Sequence, residues 1–252
     1  MSKNLTREDS GNGIILLKLN RAPVNALTPK YLEEIEKELL SLNNDSDVRA
    51  LIITSSLGVF SAGMDLKAAL AYDSTEQTAI VDGLNKTFAC LYGFSKPVIV
   101  AVNGATIAGG MFFVLASDYT VSGKSARFGL TEVRVGVTFP LIPLEIIRSS
   151  LTPTALRRLV LSGELFSAVE AENMGIVDKI KEPDDVITHA LSKAESFAKI
   201  PPQTFANVKK QIRGEKLQIM QNIIIEKTDE TRLGWYSQET KIAMTNLIKA
   251  TT

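Results

Sequence analysis

Residues 59–66 read Val-Phe-Ser-Ala-Gly-Met-Asp-Leu, and residues 103–118 read Asn-Gly-Ala-Thr-Ile-Ala-Gly-Gly-Met-Phe-Phe-Val-Leu-Ala-Ser-Asp. Each stretch places small residues shortly after a β-branched segment that is typical of a buried strand, Leu51 to Thr54 and Val98 to Val102. Glycine at such a position lets the backbone approach a ligand closely and turn its N–H groups outward. Because two such amides can bind one carbonyl oxygen, the two stretches together predict an oxyanion hole.

The second stretch also predicts a short helix directly after its glycines. Gly109 and Gly110 precede the apolar run Met111 to Ala116, whose composition favours a buried helix. The N-terminal end of a helix carries partial positive charge, so this helix would strengthen the field at the bound oxygen. Taken singly, Ser-Ala-Gly is also typical of an ordinary turn and Gly-Gly of tight packing. Their occurrence together favours the oxyanion hole.

Three further motifs accompany these two stretches in a fixed order along the chain. They are Pro23-Val24-Asn25-Ala26-Leu27, Phe128-Gly129-Leu130-Thr131-Glu132, and Ala171 followed by Met174-Gly175-Ile176-Val177-Asp178. With them, nearly the whole chain resembles the crotonase superfamily, the enoyl-CoA hydratases and isomerases. The resemblance implies an α/β fold, a crotonase-like spiral of ββα units with a C-terminal helical region used for trimerisation. We expect the spiral core at residues 1–198, the helical region at residues 199–252, and a homotrimer or dimer of trimers.

The composition of the chain excludes several other classes of protein. The 252 residues contain 28 Lys+Arg and 28 Asp+Glu, so no net charge attracts nucleic acid or an anionic membrane. The single cysteine, Cys90, excludes an internal disulfide and fits a reducing compartment. The single histidine, His189, excludes a clustered-histidine metal site, and we expect it to be an exposed helix residue. No glycine-rich nucleotide motif follows a strand, so we expect no metal and no cofactor apart from the coenzyme A thioester that the resemblance implies as substrate.

A polar N-terminal stretch and the interrupted apolar stretch 97–116 together predict a cytoplasmic protein. Residues 1–11 are polar and carry both charge signs, unlike a signal or transit peptide. Residues 97–116 are nearly uncharged, yet Pro97, Asn103 and three glycines divide them into strand, loop and helix. We therefore expect no membrane partner.

Hydrophobic periodicity predicts alternating strands and helices in the first half of the chain. The expected elements are strands Ile14 to Leu19, Arg49 to Thr54, Pro97 to Val102 and Tyr119 to Ser122, and helices Pro29 to Leu42, capped by Thr28, and Ser74 or Thr75 to about Tyr92. Such units imply parallel strands joined by right-handed crossovers. Helices dominate from Pro143 onward, and Pro201-Pro202 marks the entry to the C-terminal helical region.

The resemblance assigns roles to particular residues. It places the two oxyanion N–H groups at Met64 and Gly109 and the catalytic carboxylate at Glu132, which here follows Thr131 where relatives often have proline. Substrate-binding residues are expected around the first stretch and along an apolar wall: Ala62, Asp65, Leu66, Lys67, Phe112, Phe139 and Pro140. A solvated turn glutamate is the alternative for Glu132.

Phe112 departs from the hydratase pattern. Hydratases of the family place a second glutamate at this position to hold the attacking water, and phenylalanine offers no hydrogen bond. Isomerases that convert Δ3 to Δ2 enoyl-CoA also have an apolar residue there, and their Gly-x-x-x-Pro pattern is matched by Gly136 to Pro140. Phe112 is equally suited to plain core filling.

The chemistry of isomerisation needs only one carboxylate. A base removes a proton from C2 and returns it to C4, while the oxyanion hole holds the dienolate charge. An apolar wall would exclude water and raise the pKa of Glu132. Alternatives are hydration or another acyl-CoA reaction on the same scaffold, and a non-enzymatic acyl-CoA binding protein.

Several charged residues could serve either a functional role in the site or an ordinary role on the protein surface. Lys67, Lys209, Lys210 or Arg213 could bind the coenzyme A phosphates, or could be solvated lysines and arginines. Glu145 could be a second acid in the pocket, although a surface glutamate beside Arg148 is favoured.

Overall fold

The first parallel unit of the fold joins two apolar strands through an amphipathic helix. In the computed structural model, which describes residues 3–235 and 237–250, strand β2 (Ile14–Leu19) pairs in parallel with β3 (Ala50–Ser55). Helix α1 (Pro29–Asn44) connects them. The Thr28 side chain accepts a hydrogen bond from the Tyr31 N–H, as expected for the N-cap of α1.

Nine strands are described, in two sheets. Besides β2 and β3 they are β1 (Leu5–Asp9), β4 (Val98–Val102), β5 (Thr106–Ile107), β6 (Tyr119–Gly123), β7 (Arg127–Gly129), β8 (Phe166–Ser167) and β9 (Lys179–Lys181). The larger sheet has the order β1-β2-β3-β4-β6-β9 and the smaller one the order β5-β7-β8. Strands β2, β3, β4 and β6 pair in parallel, as predicted. Strand β9, which was not predicted, also pairs in parallel with β6, whereas β1 pairs antiparallel to β2. The sequence analysis missed β1, because this polar edge strand lacks apolar alternation.

The helices pack on both faces of the larger sheet. They are α1, α2 (Leu66–Ala69), α3 (Ser74–Tyr92), α4 (Met111–Leu115), α5 (Leu141–Ser150), α6 (Pro153–Ser162), α7 (Ala168–Asn173), α8 (Val186–Ala198), α9 (Pro202–Glu226) and α10 (Gln238–Ala250). Side chains alternate along the central strands. Leu17, Ile53 and Val100 face the main core with α1 and α3, while Leu16, Ile52 and Ile99 face a smaller core with α8. A strand that is buried on both faces explains the continuous apolar runs in the sequence.

Most predicted elements of the first half are confirmed within a few residues. Helix α3 begins at Ser74 after Asp73, whose side chain forms a reciprocal capping box with Glu76. The C-terminal region is helical, as predicted, and Met220 of α9 is buried in the main core. The division at residue 198 stays a prediction, and its outer ends, residues 1–2 and 251–252, lie outside the described part of the chain. Of the described helices, none combines the length and apolar character needed to cross a bilayer.

Candidate active site

A cavity of about 1280 Å³ lies where the first oxyanion stretch, the Gly109 turn and the Glu132 turn meet. Nine of the ten predicted site residues line it: Ala62, Met64, Asp65, Leu66, Lys67, Gly109, Phe112, Glu132 and Pro140. Phe139 is the exception. Its ring lies behind the cavity wall, packed edge-on against Phe112 with 6.4 Å between the ring centroids. Contact of Phe139 with substrate stays a prediction.

The two oxyanion stretches are held together by short backbone hydrogen bonds. The Ile107 N–H donates to the Ser61 carbonyl at 2.9 Å, and the Leu27 N–H donates to the Gly63 carbonyl at 2.7 Å. The Asp65 N–H donates to the Leu27 carbonyl at 3.0 Å. Leu27 and Met64 thus form an isolated parallel β-bridge, whose hydrogen bonds use Gly63 and Asp65, the residues on either side of Met64. Among the hydrogen bonds described for residues 3–235 and 237–250, none uses the N–H of Met64 or of Gly109. The oxyanion hole that these two amides would form stays a prediction.

Close backbone contact explains why glycine occupies these turns. Gly63 has φ +77°, and a Cβ there would lie 2.9 Å from the Gly109 nitrogen. A Cβ on Gly109 would lie 2.7 Å from Leu27 Cδ1, and one on Gly110 would lie 2.7 Å from the Ser61 carbonyl oxygen. Ala108 has φ +48°, a left-handed conformation that costs a non-glycine residue about 1–3 kcal/mol and is found mostly at functional sites.

Asn25 ties the first motif of the chain to the same site. It is buried, with φ +50°, and its side-chain N–H groups donate to Ser55 Oγ at 2.8 Å and the Phe60 carbonyl at 2.9 Å. Its Oδ1 accepts from the Arg21 N–H at 2.7 Å. These bonds fix the loop before Leu27, and Leu27 in turn is hydrogen-bonded to Gly63 and Asp65 of the first stretch.

Glu132 begins a 3-10 turn, Glu132–Val135, and its side chain is 8% exposed. Its Oε2 atom is buried and has no hydrogen-bond partner among the described residues. Burial raises the pKa of this carboxyl from 4.5 to about 8, and a hydrogen bond from its own backbone N–H opposes the shift only in part. The predicted rise in pKa is confirmed, and the alternative of a solvated turn glutamate is wrong.

The other acidic groups at or near the cavity differ from Glu132. Asp65 forms an ion pair with Arg21 at 3.2 Å and caps α2 by accepting from the Ala68 N–H. Glu164 lines the cavity but is exposed. Glu145 does not line it; its carboxylate pairs with Arg148 at 2.7 Å and Lys216 at 3.0 Å. The predicted position of Glu145 beside Arg148 is confirmed, but its side chain is half-buried and not on the open surface as expected.

Two of the basic residues considered for phosphate binding serve the fold instead. Lys209 is buried and contacts Asp118 Oδ2 at 2.6 Å, and Arg213 contacts Asp118 Oδ1 at 2.9 Å. Arg213 also donates to the carbonyls of Tyr92 and Ala116. Lys209 and Arg213 thereby fasten α9 to the core, and their proposed role in phosphate binding is wrong.

The remaining basic candidates and the histidine have different surroundings. Lys67 is exposed at the cavity edge, whereas Lys210 is exposed outside the lining. His189 is half-buried, not exposed as expected, because its Nε2 atom lies 3.1 Å from the Tyr119 hydroxyl. Burial lowers the pKa of His189, with smaller contributions from neighbouring lysines.

The C-terminal segment supplies a wall that the sequence analysis missed. Trp235, Thr240, Leu247 and Ile248 line the cavity. Thr240 Oγ1 donates to the Gly136 carbonyl at 2.7 Å, which holds α10 against the turn that carries Glu132. No local pattern signals this contact, because it joins segments 104 residues apart.

The fold is that of the crotonase superfamily, as comparison with solved structures shows. The structure of human mitochondrial delta3-delta2-enoyl-CoA isomerase matches with a TM-score of 0.86, covering 99% of this chain and 100% of that chain at 25% identity. An enoyl-CoA hydratase from Bacillus halodurans, 18% identical, shares the fold with a TM-score of 0.87, covering 96% of this chain and 99% of its own.

Sequence comparison gives the family. The model of the enoyl-CoA hydratase/isomerase family matches residues 9–244, and the chain belongs to that family of enzymes. It is 31% identical over 200 residues to human enoyl-CoA delta isomerase 1, covering 78% of this chain and 66% of the human protein's length. It is also 31% identical over 201 residues to the 2,3-dehydroadipyl-CoA hydratase of Escherichia coli, covering 79% and 78%.

Proposed function

We propose that this protein is an enoyl-CoA isomerase that moves a C3=C4 double bond to C2=C3. The observation that carries the proposal is that Glu132, a buried carboxyl with one unpartnered oxygen, lines a cavity in which Phe112 stands where hydratases have a second glutamate. Of the acidic residues that line the described cavity, Asp65, Glu132 and Glu164, only Glu132 is buried.

The proposed reaction uses Glu132 for both proton transfers. Its ionised carboxylate takes a proton from C2, the C3=C4 electrons shift toward C2, and the negative charge develops on the thioester oxygen. The Met64 and Gly109 amides donate to that oxygen, an interaction for which losing one donor typically costs about 10² to 10³ in rate. Protonated Glu132 then returns the proton to C4. A pKa of about 8 suits this role, because a base is most efficient when its pKa lies near the working pH.

The finer parts of the proposal concern substrate and setting. Lys67, exposed on the cavity lining, and Lys210, exposed outside it, are the remaining candidates for the coenzyme A phosphates. The names of the relatives support an acyl-CoA substrate and, for the human relative, an isomerase. Fatty acid β-oxidation in the cytoplasm and a homotrimer or dimer of trimers are the expected setting.

Hydration is the second candidate function, because the Escherichia coli relative is a hydratase. Incubation of the protein with 3-enoyl-CoA and with 2-enoyl-CoA, in separate reactions followed by mass spectrometry, distinguishes the two. Isomerisation preserves the mass of the thioester, whereas hydration adds one water. A water adduct formed from 2-enoyl-CoA, without interconversion of the two enoyl isomers, would contradict the isomerase proposal.

A further inference from the structure

Glu132 stands on a turn that closes on itself. The turn ends at Gly136, whose N–H donates to the Glu132 carbonyl and whose φ of +69° is the left-handed conformation typical of a helix end. The Val137 N–H donates to the same carbonyl at 3.2 Å. Gly136 and Glu132 are therefore joined directly through the backbone, so a group that holds Gly136 also holds the residue that carries the carboxyl.

Among the described residues, two hydrogen bonds join the turn at 131–137 to other segments. Arg134 Nε donates to the Ser162 carbonyl at 3.2 Å, and this bond is exposed to solvent. Thr240 Oγ1 of α10 donates to the Gly136 carbonyl at 2.7 Å, and Thr240 is buried. A hydrogen bond away from water is electrostatically the stronger of the two. Thr240 therefore provides the main tie between the turn and the rest of the protein.

The Thr240 hydroxyl is itself held in one orientation. The Thr240 backbone N–H donates to Ser237 Oγ at 3.0 Å, the bond expected of a serine that caps the start of a helix. The two hydroxyl oxygens are 2.7 Å apart, and since the single hydroxyl proton of Thr240 goes to Gly136, the Ser237 hydroxyl donates to Thr240. A Cβ on Gly136 would lie 3.1 Å from Thr240 Cα, so the two backbones are in close contact.

Helix α10 contacts both parts of the proposed catalytic machinery. Besides the Glu132 turn, it packs against α2, which directly follows the first oxyanion stretch and its Met64 amide. The position of α10 thus bears on the distance between the proposed base and a proposed oxyanion donor. Such distances matter, because a misplacement of about 1 Å can cost roughly 10²-fold in rate.

We propose that Thr240 is a positioning residue of the isomerase: its hydroxyl holds Gly136, and through Gly136 it sets the place of the Glu132 carboxylate relative to the acyl chain. Thr240 takes no proton in the reaction. The inference rests on the proposed function, in which Glu132 is the base.

Kinetics of matched variants test the proposal. Thr240→Val removes the hydroxyl and keeps the shape of the side chain, so we expect kcat for 3-enoyl-CoA to fall about 10- to 100-fold with little change in KM. Thr240→Ser restores the hydroxyl and should recover most of kcat. Thr245→Val is the control: Thr245 Oγ1 donates to the Lys241 carbonyl within α10 at 2.7 Å, outside the cavity lining, and this variant should keep the parental kcat.

The ionisation of Glu132 gives a second measurement, which needs no turnover. The carbon-13 resonance of its carboxyl, identified by its absence in Glu132→Gln, can be titrated in each variant. Burial holds the pKa of Glu132 at about 8, and a turn released from Thr240 admits water. The pKa should therefore fall toward 4.5 in Thr240→Val and return in Thr240→Ser.

Parental kcat in Thr240→Val, a loss that Thr240→Ser does not restore, or an unchanged pKa of Glu132 would overturn the proposal. If Thr240→Val does not fold, Ser237→Ala replaces it: this variant removes the bond that orients the Thr240 hydroxyl and should change kcat and the pKa in the same direction by less. A parent that does not isomerise 3-enoyl-CoA, with a pKa of Glu132 that falls in Thr240→Val and returns in Thr240→Ser, would support the positioning role while contradicting the proposed function.

Discussion

The backbones of Gly63 and Gly109 lie so close together that a Cβ on Gly63 would come within 2.9 Å of the Gly109 nitrogen. The position of the Gly109 N–H, a proposed oxyanion donor, thus depends directly on the absence of a side chain at Gly63. Crowding here moves an N–H that belongs to the proposed catalytic machinery.

We expect Gly63→Ala to lower kcat by about 10² or more, because it displaces the Gly109 amide from the thioester oxygen. Gly175→Ala is the matched control. Gly175 has a similar φ, +74°, but a Cβ there would meet no atom of the described residues within 4 Å, so this variant adds backbone strain without crowding. Comparable losses of kcat in both variants, at equal thermal stability, would show that strain and not the oxyanion contact is responsible.

Glu132→Gln should reduce turnover by about 10² to 10⁴ while acyl-CoA binding is preserved. The amide keeps the volume of the side chain and leaves the Met64 and Gly109 donors in place, so only proton transfer is lost. Steady-state rates and calorimetric affinities measure the two effects separately. Retention of more than about a tenth of parental kcat is incompatible with a single-base mechanism.

The pH dependence of the reaction should follow the ionisation of Glu132. Because the carboxylate is the base, kcat/KM of the free enzyme should rise with pH and level off above a pKa of about 8. A profile that is flat from pH 6 to pH 9, measured with a substrate that is stable over that range, would assign the base to another group.

Stability should change with pH in the opposite direction. The folded-state pKa of Glu132, about 8, lies above the ordinary value of 4.5, so folding favours the protonated carboxyl. Its contribution to the free energy of unfolding is fully present below pH 4.5 and is lost as the pH rises through 8. Glu132→Gln should therefore exceed the parent in stability by roughly 2–4 kcal/mol above that pH, as measured by urea unfolding. Identical pH slopes in both proteins would contradict this expectation.

Phe112→Glu should lower isomerase turnover about tenfold or more. The added buried carboxylate raises the pKa of Glu132, and each unit lowers the ionised fraction of the base about tenfold below that pKa. Product mass reveals whether water brought in by the new carboxylate also adds to the double bond. Phe112→Leu keeps the wall apolar and serves as control. If Phe112→Glu isomerises as fast as the parent, Phe112 does not contact the reacting carbons.

Assembly should depend on the exposed side of α9. Val208, Ile212 and Ile219 are 47%, 76% and 37% exposed and fall on one face of the helix. Closed symmetric assembly would bury this face, so we expect a trimer or hexamer by light scattering and a smaller species for Ile212→Asp. Lys210→Asp, on the opposite side of α9, should retain the parental mass. We also expect the assembly to bury Ile223 to Ile225, of which Ile225 is 77% exposed within one chain. A monomeric mass for the parent protein by light scattering would contradict the prediction.

Local signals were sufficient for the helices and strands whose ends the sequence itself specifies. Thr28 and Asp73 cap α1 and α3 through bonds to residues three positions away, so the caps can be read from the sequence. Strands β5 and β8 are two residues long and exist only through pairing with β7. Their positions follow from tertiary contacts, which single-sequence periodicity does not contain.

Some residues of the candidate site could likewise be predicted from local motifs, whereas others depend on contacts that only the structure shows. The glycine motifs predicted that the two stretches meet, because their close backbone contact excludes any side chain; their role as an oxyanion hole stays a prediction. Glu132 followed from its motif. Lys209 and Arg213 were misassigned because a buried ion pair and a phosphate site draw on the same residue types, and only the structure shows Asp118 between them.

The hydrogen bond from Thr240 to the Gly136 carbonyl makes the motion of a helix measurable by isotope chemistry. With α10 held against the Glu132 turn, we expect a proton taken from C2 to pass to C4 faster than it exchanges with solvent. Opening of the helix during turnover would let that proton exchange with heavy water before it is returned. The deuterium content of product formed in heavy water would then measure how often the helix opens relative to the rate of the chemical step.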